Sequence, residues 1–337
     1  QVIALLLSEA EEHSDMEALI VCPASLIYNW ESEIRRFGKG LSVMVVAGTV
    51  PDRREMLWGQ KGKAQVMITS YELLRRDIEL YGKKEFRFLV LDEAQYIKNH
   101  TTKNAEAVKQ VRAGTRFALT GTPIENRLSD LWSIFDFLMP GFLYGYARFK
   151  KEFEIPIAKG EGKKELKRLN RLIAPFLLRR CKKDVLTELP DKLEHIVYSK
   201  LEGEQRKLYT AQAFLLKQRL EEAGEEEYRR EQMQILAELL RLRQLCCDPS
   251  LCYEGYEGGS AKLETCMELV AGAVSGGHKV LLFSQFTSML EILEKRLRDE
   301  GIAYHKLTGR TGKEDRLTLV NAFNQDEVPV FLISLKA

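Results

Sequence analysis

No stretch of the 337 residues approaches the roughly 20 consecutive apolar residues that a bilayer-spanning helix needs. No basic segment precedes the apolar start Gln1-Val2-Ile3-Ala4-Leu5-Leu6-Leu7, so a secretory leader is not expected. The expectation is a soluble, intracellular chain with no membrane partner. Cysteine is sparse, at Cys22, Cys181, Cys246, Cys247, Cys252 and Cys266. Three of these are close, but no second ligand pair follows at zinc spacing, and the five histidines lie elsewhere. Buried or reduced thiols are expected, not a metal site. Net charge is small as well, +2 at pH 7. That balance neither demands nor forbids nucleic acid, because a local basic groove can coexist with acidic flanks.

What is present is an ordinary two-lobed α/β pattern. The composition, 45% hydrophobic and 30% charged, suits a globular chain, and the length suits two or three domains. Short continuous apolar runs read as buried parallel strands: Ala18-Leu19-Ile20-Val21-Cys22, Val43-Met44-Val45-Val46, Val66-Met67-Ile68, Phe88-Leu89-Val90-Leu91 and Phe117-Ala118-Leu119. Helical patterns separate several of them. Ile27, Trp30, Ile34 and Phe37 recur at spacings of three and four behind a candidate cap, Ser25. From Leu128 to about Leu251 the pattern is mainly helical. His195-Ile196-Val197-Tyr198 interrupts it as a strand expected to return to the first sheet. The mixed-charge run from Glu221 to Glu231 reads as a solvated helix face. Tyr253 to Ser260 reads as a linker. Strand–helix alternation then resumes, with strands at Lys279–Phe283, Ile302–Tyr304 and Val328–Ser334.

The fold class that follows is α/β, with parallel-sheet lobes around a large helical insertion. The expected boundaries are a first lobe at 1–127, a helical insertion at 128–252 with the returning strand near 193–200, a linker at 253–260, and a second lobe at 261–337.

Chemistry concentrates at Leu89-Val90-Leu91-Asp92-Glu93-Ala94-Gln95. An apolar strand delivers two adjacent carboxylates at the edge where open parallel sheets bind ligands. One can hold Mg²⁺ through its water shell, and the other can orient or deprotonate the water that attacks a γ-phosphate. Alone, such a pair is most often a surface turn. Thr120-Gly121-Thr122-Pro123, after the next strand, supplies small hydroxyl residues that can approach the carboxylates. Trp30 and Trp132 sit on apolar helical stripes and read as core residues rather than base-stacking aromatics. A nuclease using Asp92 and Glu93 is disfavoured, because no further carboxylate or histidine cluster accompanies them.

The order of these pieces resembles superfamily-two helicases and, within them, the Swi/Snf family of double-stranded-DNA translocases. The matching segments are Ile20-Val21-Cys22-Pro23-Ala24-Ser25-Leu26 with Trp30, Ile68-Thr69-Ser70-Tyr71-Glu72, Asp92-Glu93-Ala94-Gln95-Tyr96-Ile97-Lys98-Asn99, and Leu119-Thr120-Gly121-Thr122-Pro123-Ile124-Glu125-Asn126. Ala174-Pro175-Phe176-Leu177-Leu178-Arg179-Arg180 and Leu189-Pro190 follow. Val280-Leu281-Leu282-Phe283-Ser284-Gln285-Phe286 and Leu307-Thr308-Gly309 lie in the second lobe. Lys98-Asn99 and the helical insertion with Arg179-Arg180 separate the pattern from DEAD-box RNA helicases. Ala94-Gln95 stands where eukaryotic members commonly have Gly-His, so the resemblance is to bacterial-type members.

The resemblance implies two RecA-like lobes, the second incomplete, with ATP bound between them and Mg²⁺ as cofactor. It implies that Asp92 and Glu93 are catalytic, with Asp92 holding the metal, and that Gln95, Thr120, Gly121 and Thr122 couple hydrolysis to DNA. Pro23, Ala24, Ser25, Thr69, Ser70, Lys98, Asn99, Arg179, Arg180, Ser284, Gln285, Thr308 and Gly309 are the implied DNA contacts. Partners are duplex DNA and DNA-bound proteins such as polymerase or chromatin. The location is the cytoplasmic nucleoid for a bacterial protein and the nucleus for a eukaryotic one. The family's phosphate loop, G-x-x-x-x-G-K-[ST], is not found; Gly309-Arg310-Thr311-Gly312-Lys313 is too short and ends in Glu314. Phe331-Leu332-Ile333-Ser334 resembles the start of the fifth motif, without its glycines or the later arginine motif. The expectation is that these 337 residues alone do not hydrolyse ATP appreciably. A strand-separating helicase and a non-catalytic DNA-binding or scaffold fragment remain the alternatives.

Overall fold

A computed structural model describes residues 1–59, 64–121, 127–180, 185, 188, 192–222 and 225–335, with backbone alone at 222, 225–231 and 313–314. The chain divides into two compact units, Gln1–Leu189 and Pro190–Ala337.

The first unit is built on five parallel strands: β1 (Ala18–Cys22), β2 (Val43–Val45), β3 (Val66–Ser70), β4 (Glu85–Leu91) and β5 (Arg112–Ala118). Their spatial order is β2-β3-β1-β4-β5. Val21 pairs with both Thr69 and Leu91, which makes β1 the central strand. Every residue of β1 and β3 is buried, as the continuous apolar runs require of strands covered on both faces. Edge strand β5 carries arginines, Arg112 and Arg116, and is half exposed.

Alternate residues of each strand feed two different cores. Leu19, Val21, Met67, Leu89 and Leu91 pack with Leu74, Val108, Ile134 and Phe137 on one face. Ala18, Ile20, Cys22, Ile68 and Val90 pack with Leu6, Ile27 and Ile34 on the other. The helices that deliver these residues are α1 (Val2–Glu12), α2 (Ile27–Phe37), α3 (Val50–Trp58), α4 (Tyr71–Arg76), α5 (Ile78–Tyr81), α6 (Lys103–Gln110) and α7 (Leu128–Leu138). Helix α2 starts later than its expected cap. Leu26, not Ser25, precedes it, because a turn closed by Leu26 N–H on the Pro23 carbonyl at 2.9 Å occupies residues 23–26.

Two devices fix α3 and α4. Thr49 and Asp52 form a reciprocal capping box at the start of α3. From the next residue, Arg53 reaches Asp77 at the end of α4 through two bonds, Nε to Oδ2 at 2.5 Å and Nη2 to Oδ1 at 2.9 Å. Its third nitrogen donates to the Gly48 carbonyl at 2.6 Å. Gly48 has φ +98°, so glycine is needed at that turn. Both charged side chains are only 5% exposed.

Beyond α7, Leu131, Trp132, Phe135, Phe149, Phe153, Leu169 and Ile173 form a separate aromatic-rich core. Trp132 is a core residue, as its stripe predicts. The expected insertion at 128–252 does not hold together as one body. Its first helices belong to the first unit, whereas the hairpin of helices Gly203–Glu222 and Glu225–Cys247 belongs to the second. Gln205 ties that hairpin to its own unit by donating to the Leu245 carbonyl and accepting from Ala261 N–H.

The strand expected at 193–200 is also absent. Residues 192–202 carry no regular secondary structure and join no sheet, with Leu193, Ile196 and Tyr198 about 80% exposed or more, and Ser199 bonds Thr265 of the second unit. The β-branched, aromatic composition of 196–198 signals strand propensity, but propensity supplies no partner edge.

The second unit has three parallel strands, β6 (Val280–Ser284), β7 (Tyr304–Leu307) and β8 (Val330–Ser334), in the order β6-β8-β7. Helices Ala261–Ser275 and Thr287–Asp299 cover one face through Leu263, Met267, Leu290, Leu293 and Leu297. Helix Thr287–Asp299 is pinned to β7 by charge. Glu294 accepts from Lys306 at 2.6 Å and from Tyr304 at 2.7 Å, and pairs with Arg298 at 2.8 Å. Chiefly through the Lys306 bond, then those of Tyr304 and Arg298, the Glu294 carboxyl falls from 4.5 to about 2. A depressed carboxylate contributes stability above its unfolded pKa and loses it as pH falls through the folded one. We therefore expect Glu294→Gln to destabilise the second unit at pH 7, by at most about 2 kcal/mol once solvent screening of the partly exposed pair is allowed for. The gap from wild type should close as pH drops from 4.5 towards 2, read by urea unfolding. A constant gap across that range would deny the linkage. Among the described residues no helix is long and apolar enough to cross a membrane.

Candidate functional site

The strand order of the first sheet sets the site. From β1 the chain runs to β2 on one side, and from β4 it runs to β5 on the other. The two central neighbours therefore part company at their C-terminal ends, leaving a crevice of the kind that binds ligands in open α/β sheets. Asp92 and Glu93 follow β4 directly, and Pro23 follows β1.

Asp92 is held at four points by different segments. Its N–H donates to the Val21 carbonyl of β1 at 2.8 Å. Its carbonyl accepts from the Tyr71 hydroxyl at 2.8 Å. Oδ1 accepts from Glu93 N–H at 2.9 Å, and Oδ2 accepts from the Trp30 indole N–H at 2.8 Å. Each carboxylate oxygen keeps a lone pair for a further ligand.

Glu93 has φ 50° and ψ 55°, the left-handed region that non-glycine residues enter at a cost of about 1–3 kcal/mol. The strain turns the chain sharply from β4 into the short 3₁₀ turn Ala94–Ile97. Three further contacts hold that turn. Ala94 N–H donates to the Leu119 carbonyl, buried Ser133 on α7 donates to the Ile97 carbonyl at 2.6 Å, and Tyr96 stacks on Tyr71 with ring centres 5.1 Å apart.

Gln95 joins the carboxylate to the neighbouring strand. Its Nε2 donates to Glu93 Oε2 at 2.5 Å, while its Oε1 accepts from Thr120 Oγ1 at 2.9 Å. Asp92, Glu93, Gln95 and Thr120 thus form one connected polar group, with exposed Gly121 beside it. Thr122 lies outside the described residues.

Burial shapes the other ionisable groups here. Burial first, then the negative charge of Asp92, pushes the Cys22 thiol up to about 12, so it stays protonated at neutral pH. The same causes raise Tyr71, which keeps its proton as a donor. Among the described residues no group of three or more His, Cys, Asp or Glu residues is placed to hold a metal. A dehydration-resistant Mg²⁺ asks for less. It typically takes one or two carboxylates together with phosphate and water, which Asp92 with Glu93 alongside suits.

The residues expected at DNA fall into distinct situations. Pro23 is buried, Ala24 half-buried and Ser25 exposed, all in the turn after β1. Thr69 and Ser70 are 0% and 1% exposed, contrary to side-chain contact with an outside phosphate. Thr69 Oγ1 donates to the Val46 carbonyl, and Ser70 Oγ caps α4 at Leu73 N–H. Their small size serves packing at the end of β3. Lys98 is half-buried, while exposed Asn99 shapes the entry to α6 by accepting from Thr101. Arg179 and Arg180 are exposed, and Arg180 lies beside the side-chain amide of Gln1, just before α1; the amide oxygen accepts from it at 2.6 Å when the amide is turned to satisfy both groups.

In the second unit, Ser284 ends β6, and Thr308 and Gly309 follow β7, so all three sit at the C-terminal edge of that sheet. Ser284 exchanges hydrogen bonds with the Phe286 backbone, Gln285 accepts from Arg243 at 2.5 Å, and Thr308 closes a tight turn with Thr311. Trp30, Tyr71 and Ser133 are site-supporting residues that periodicity alone does not flag. A helical stripe shows that Trp30 faces inward but not where its N–H points.

The SNF2-related domain family matches residues 1–251, and the helicase conserved C-terminal domain family matches residues 261–337. An uncharacterised ATP-dependent helicase of Mycoplasma pneumoniae is 36% identical over all of this chain and 32% of its own length. The putative ATP-dependent helicase/translocase YwqA of Bacillus subtilis is 35% identical over 95% of this chain and 35% of its own. Among solved structures, the Sulfolobus solfataricus SWI2/SNF2 ATPase core in complex with dsDNA is 34% identical. The match covers 99% of this chain and 70% of that one, with a TM-score of 0.53. The chain spans about a third of the length of these curated relatives. With two parallel-sheet lobes of the RecA-like kind and matches along its whole length, the chain belongs to the Swi/Snf, or SNF2-related, family.

Proposed function

We propose that this chain is the motor core of an ATP-dependent translocase on duplex DNA, moving without separating the strands. The observation that carries this reading is the placement of Asp92 and Glu93 at the crevice between β1 and β4, with Gln95 linking Glu93 to Thr120. Glu93 orients or deprotonates the attacking water. Asp92 holds Mg²⁺, which when bound neutralises charge developing on the phosphates. Gln95 and Thr120 tie the position of Glu93 to the end of β5. The turns at 23–26, 284–285 and 308–309 offer backbone N–H groups and small side chains to DNA phosphates, contacts that position a duplex without reading its sequence. The dsDNA complex of the archaeal relative supports the choice of duplex over single strand.

The test uses a purified protein that contains this chain. ATPase activity should rise with duplex DNA and fall with salt as counterion release requires. A third strand bound to the duplex should be displaced, while a labelled strand of the duplex itself stays annealed. Release of that strand would favour a strand-separating helicase. DNA binding with no hydrolysis would favour a non-catalytic scaffold.

A further inference from the structure

Two strand-to-helix junctions at the edge of the first sheet each lead, within a few residues, to an aromatic side chain that ends on Asp92, and the first of them, at 23–26, is proposed to meet DNA. The turn at 23–26 opens α2, whose first turn carries Trp30, and the indole N–H donates to Asp92 Oδ2 at 2.8 Å. The buried end of β3, Thr69 and Ser70, runs directly into α4, whose first residue is Tyr71, and that hydroxyl donates to the Asp92 carbonyl at 2.8 Å. The two bonds come from opposite faces of the sheet. Trp30 packs with the α1–α2 core, and Tyr71 lies in the α3–α7 core. Asp92 is therefore in contact with both helical layers.

We propose that Trp30, braced by Tyr71, is a positioning residue that transmits occupancy of the 23–26 turn to the metal-holding carboxylate of Asp92. The inference deepens the motor reading and rests on it. The chemistry favours Trp30 as the adjustable member. Its indole nitrogen can only donate, so it fixes one carboxylate oxygen and leaves the other geometry to the metal. Trp30 is half-buried on a helix that begins two residues after Ser25, the one exposed residue of the 23–26 turn, so in this proposal a phosphate held at Ser25 displaces the helix start and with it the indole. Tyr71 is 1% exposed, stacked on Tyr96 and fixed by burial, and so serves as the stationary contact.

The experiment compares wild type, Trp30→Phe, and a protein with β-(3-benzothienyl)alanine at position 30, all in a motor that hydrolyses ATP. The sulfur analogue keeps the ring shape and removes only the N–H, so it remains informative if the phenylalanine variant folds poorly. Two quantities are read: the Mg²⁺ concentration at half-maximal binding of a fluorescent, non-hydrolysable nucleotide, and the ratio of ATPase rates with and without duplex DNA. Loss of an outer-sphere partner typically weakens a metal site about 10- to 100-fold. We expect a rise of that order in the Mg²⁺ requirement together with a several-fold fall in the DNA ratio, for both replacements. A wild-type protein that duplex DNA fails to stimulate would overturn the motor reading itself. If wild type is stimulated, any pattern in the sulfur analogue other than both changes overturns the coupling alone.

Discussion

Glu93→Gln, in a protein that contains this chain and hydrolyses ATP, should lower the turnover rate by about 10²–10⁴ while leaving duplex DNA binding in place. The change is nearly isosteric. The amide oxygen of a glutamine at 93 can still accept from Gln95, and the left-handed backbone turn is held independently by Ala94 on Leu119 and by Ser133 on Ile97. What disappears is the charge that, in the proposed mechanism, orients and receives a proton from the attacking water. Asp92→Asn should lower turnover too, but through the metal, so raised Mg²⁺ should recover part of its loss and none of the loss at Glu93. Steady-state ATPase at two Mg²⁺ concentrations, with a binding assay on the same preparations, makes the comparison. Turnover within threefold of wild type for Glu93→Gln would place the hydrolytic centre elsewhere.

Asp77→Ala should cost the first unit about 3–5 kcal/mol, enough to unfold a marginally stable lobe. The expense comes from what remains. Arg53, 5% exposed, would keep its charge in the core with two of its three bonds removed. Joint replacement of Arg53 and Asp77 by Met and Leu should recover most of that loss, since an apolar pair of similar volume leaves no unpaired charge. Urea unfolding of wild type, both single variants and the double variant gives the coupling directly. Independent, additive losses would mean that the pair contributes nothing as a pair. The stake is functional as well as structural. Asp77 ends the helix that Tyr71 begins, so loosening it frees one of the contacts on Asp92.

Much of this arrangement is legible in the sequence, and the reasons differ by element. Strands β1, β3 and β4 announce themselves because a strand covered on both faces must be apolar throughout, and few other structures are that short and that apolar. The acidic pair is legible because it directly follows such a strand. Thr69 and Ser70 mislead for a related reason. Small hydroxyl residues suit a phosphate contact and a tightly packed turn equally well, and only burial separates the two. The segment 193–200 misleads because strand propensity names no neighbour. The split of the helical region at the 189–190 boundary depends on long-range contacts, such as Gln205 with Leu245 and Ala261, that no local pattern encodes. Trp30 shows the finest limit: its stripe gives the face it occupies, and the single N–H direction that matters is fixed only once β4 is in place beside β1.

The strand order has a further consequence during synthesis. Ala18 of β1 finds its partners in Val66 and Phe88, so the most apolar strand of the lobe leaves the ribosome long before either neighbour exists. At about 5–20 residues per second, the wait is on the order of 3–15 s. Through that interval a fully hydrophobic ribbon has both hydrogen-bonding edges open, a state that invites capture by another nascent chain. The lobe thus passes through a stage in which its central strand is open to capture, and shielding of the nascent chain should raise its yield in a cell.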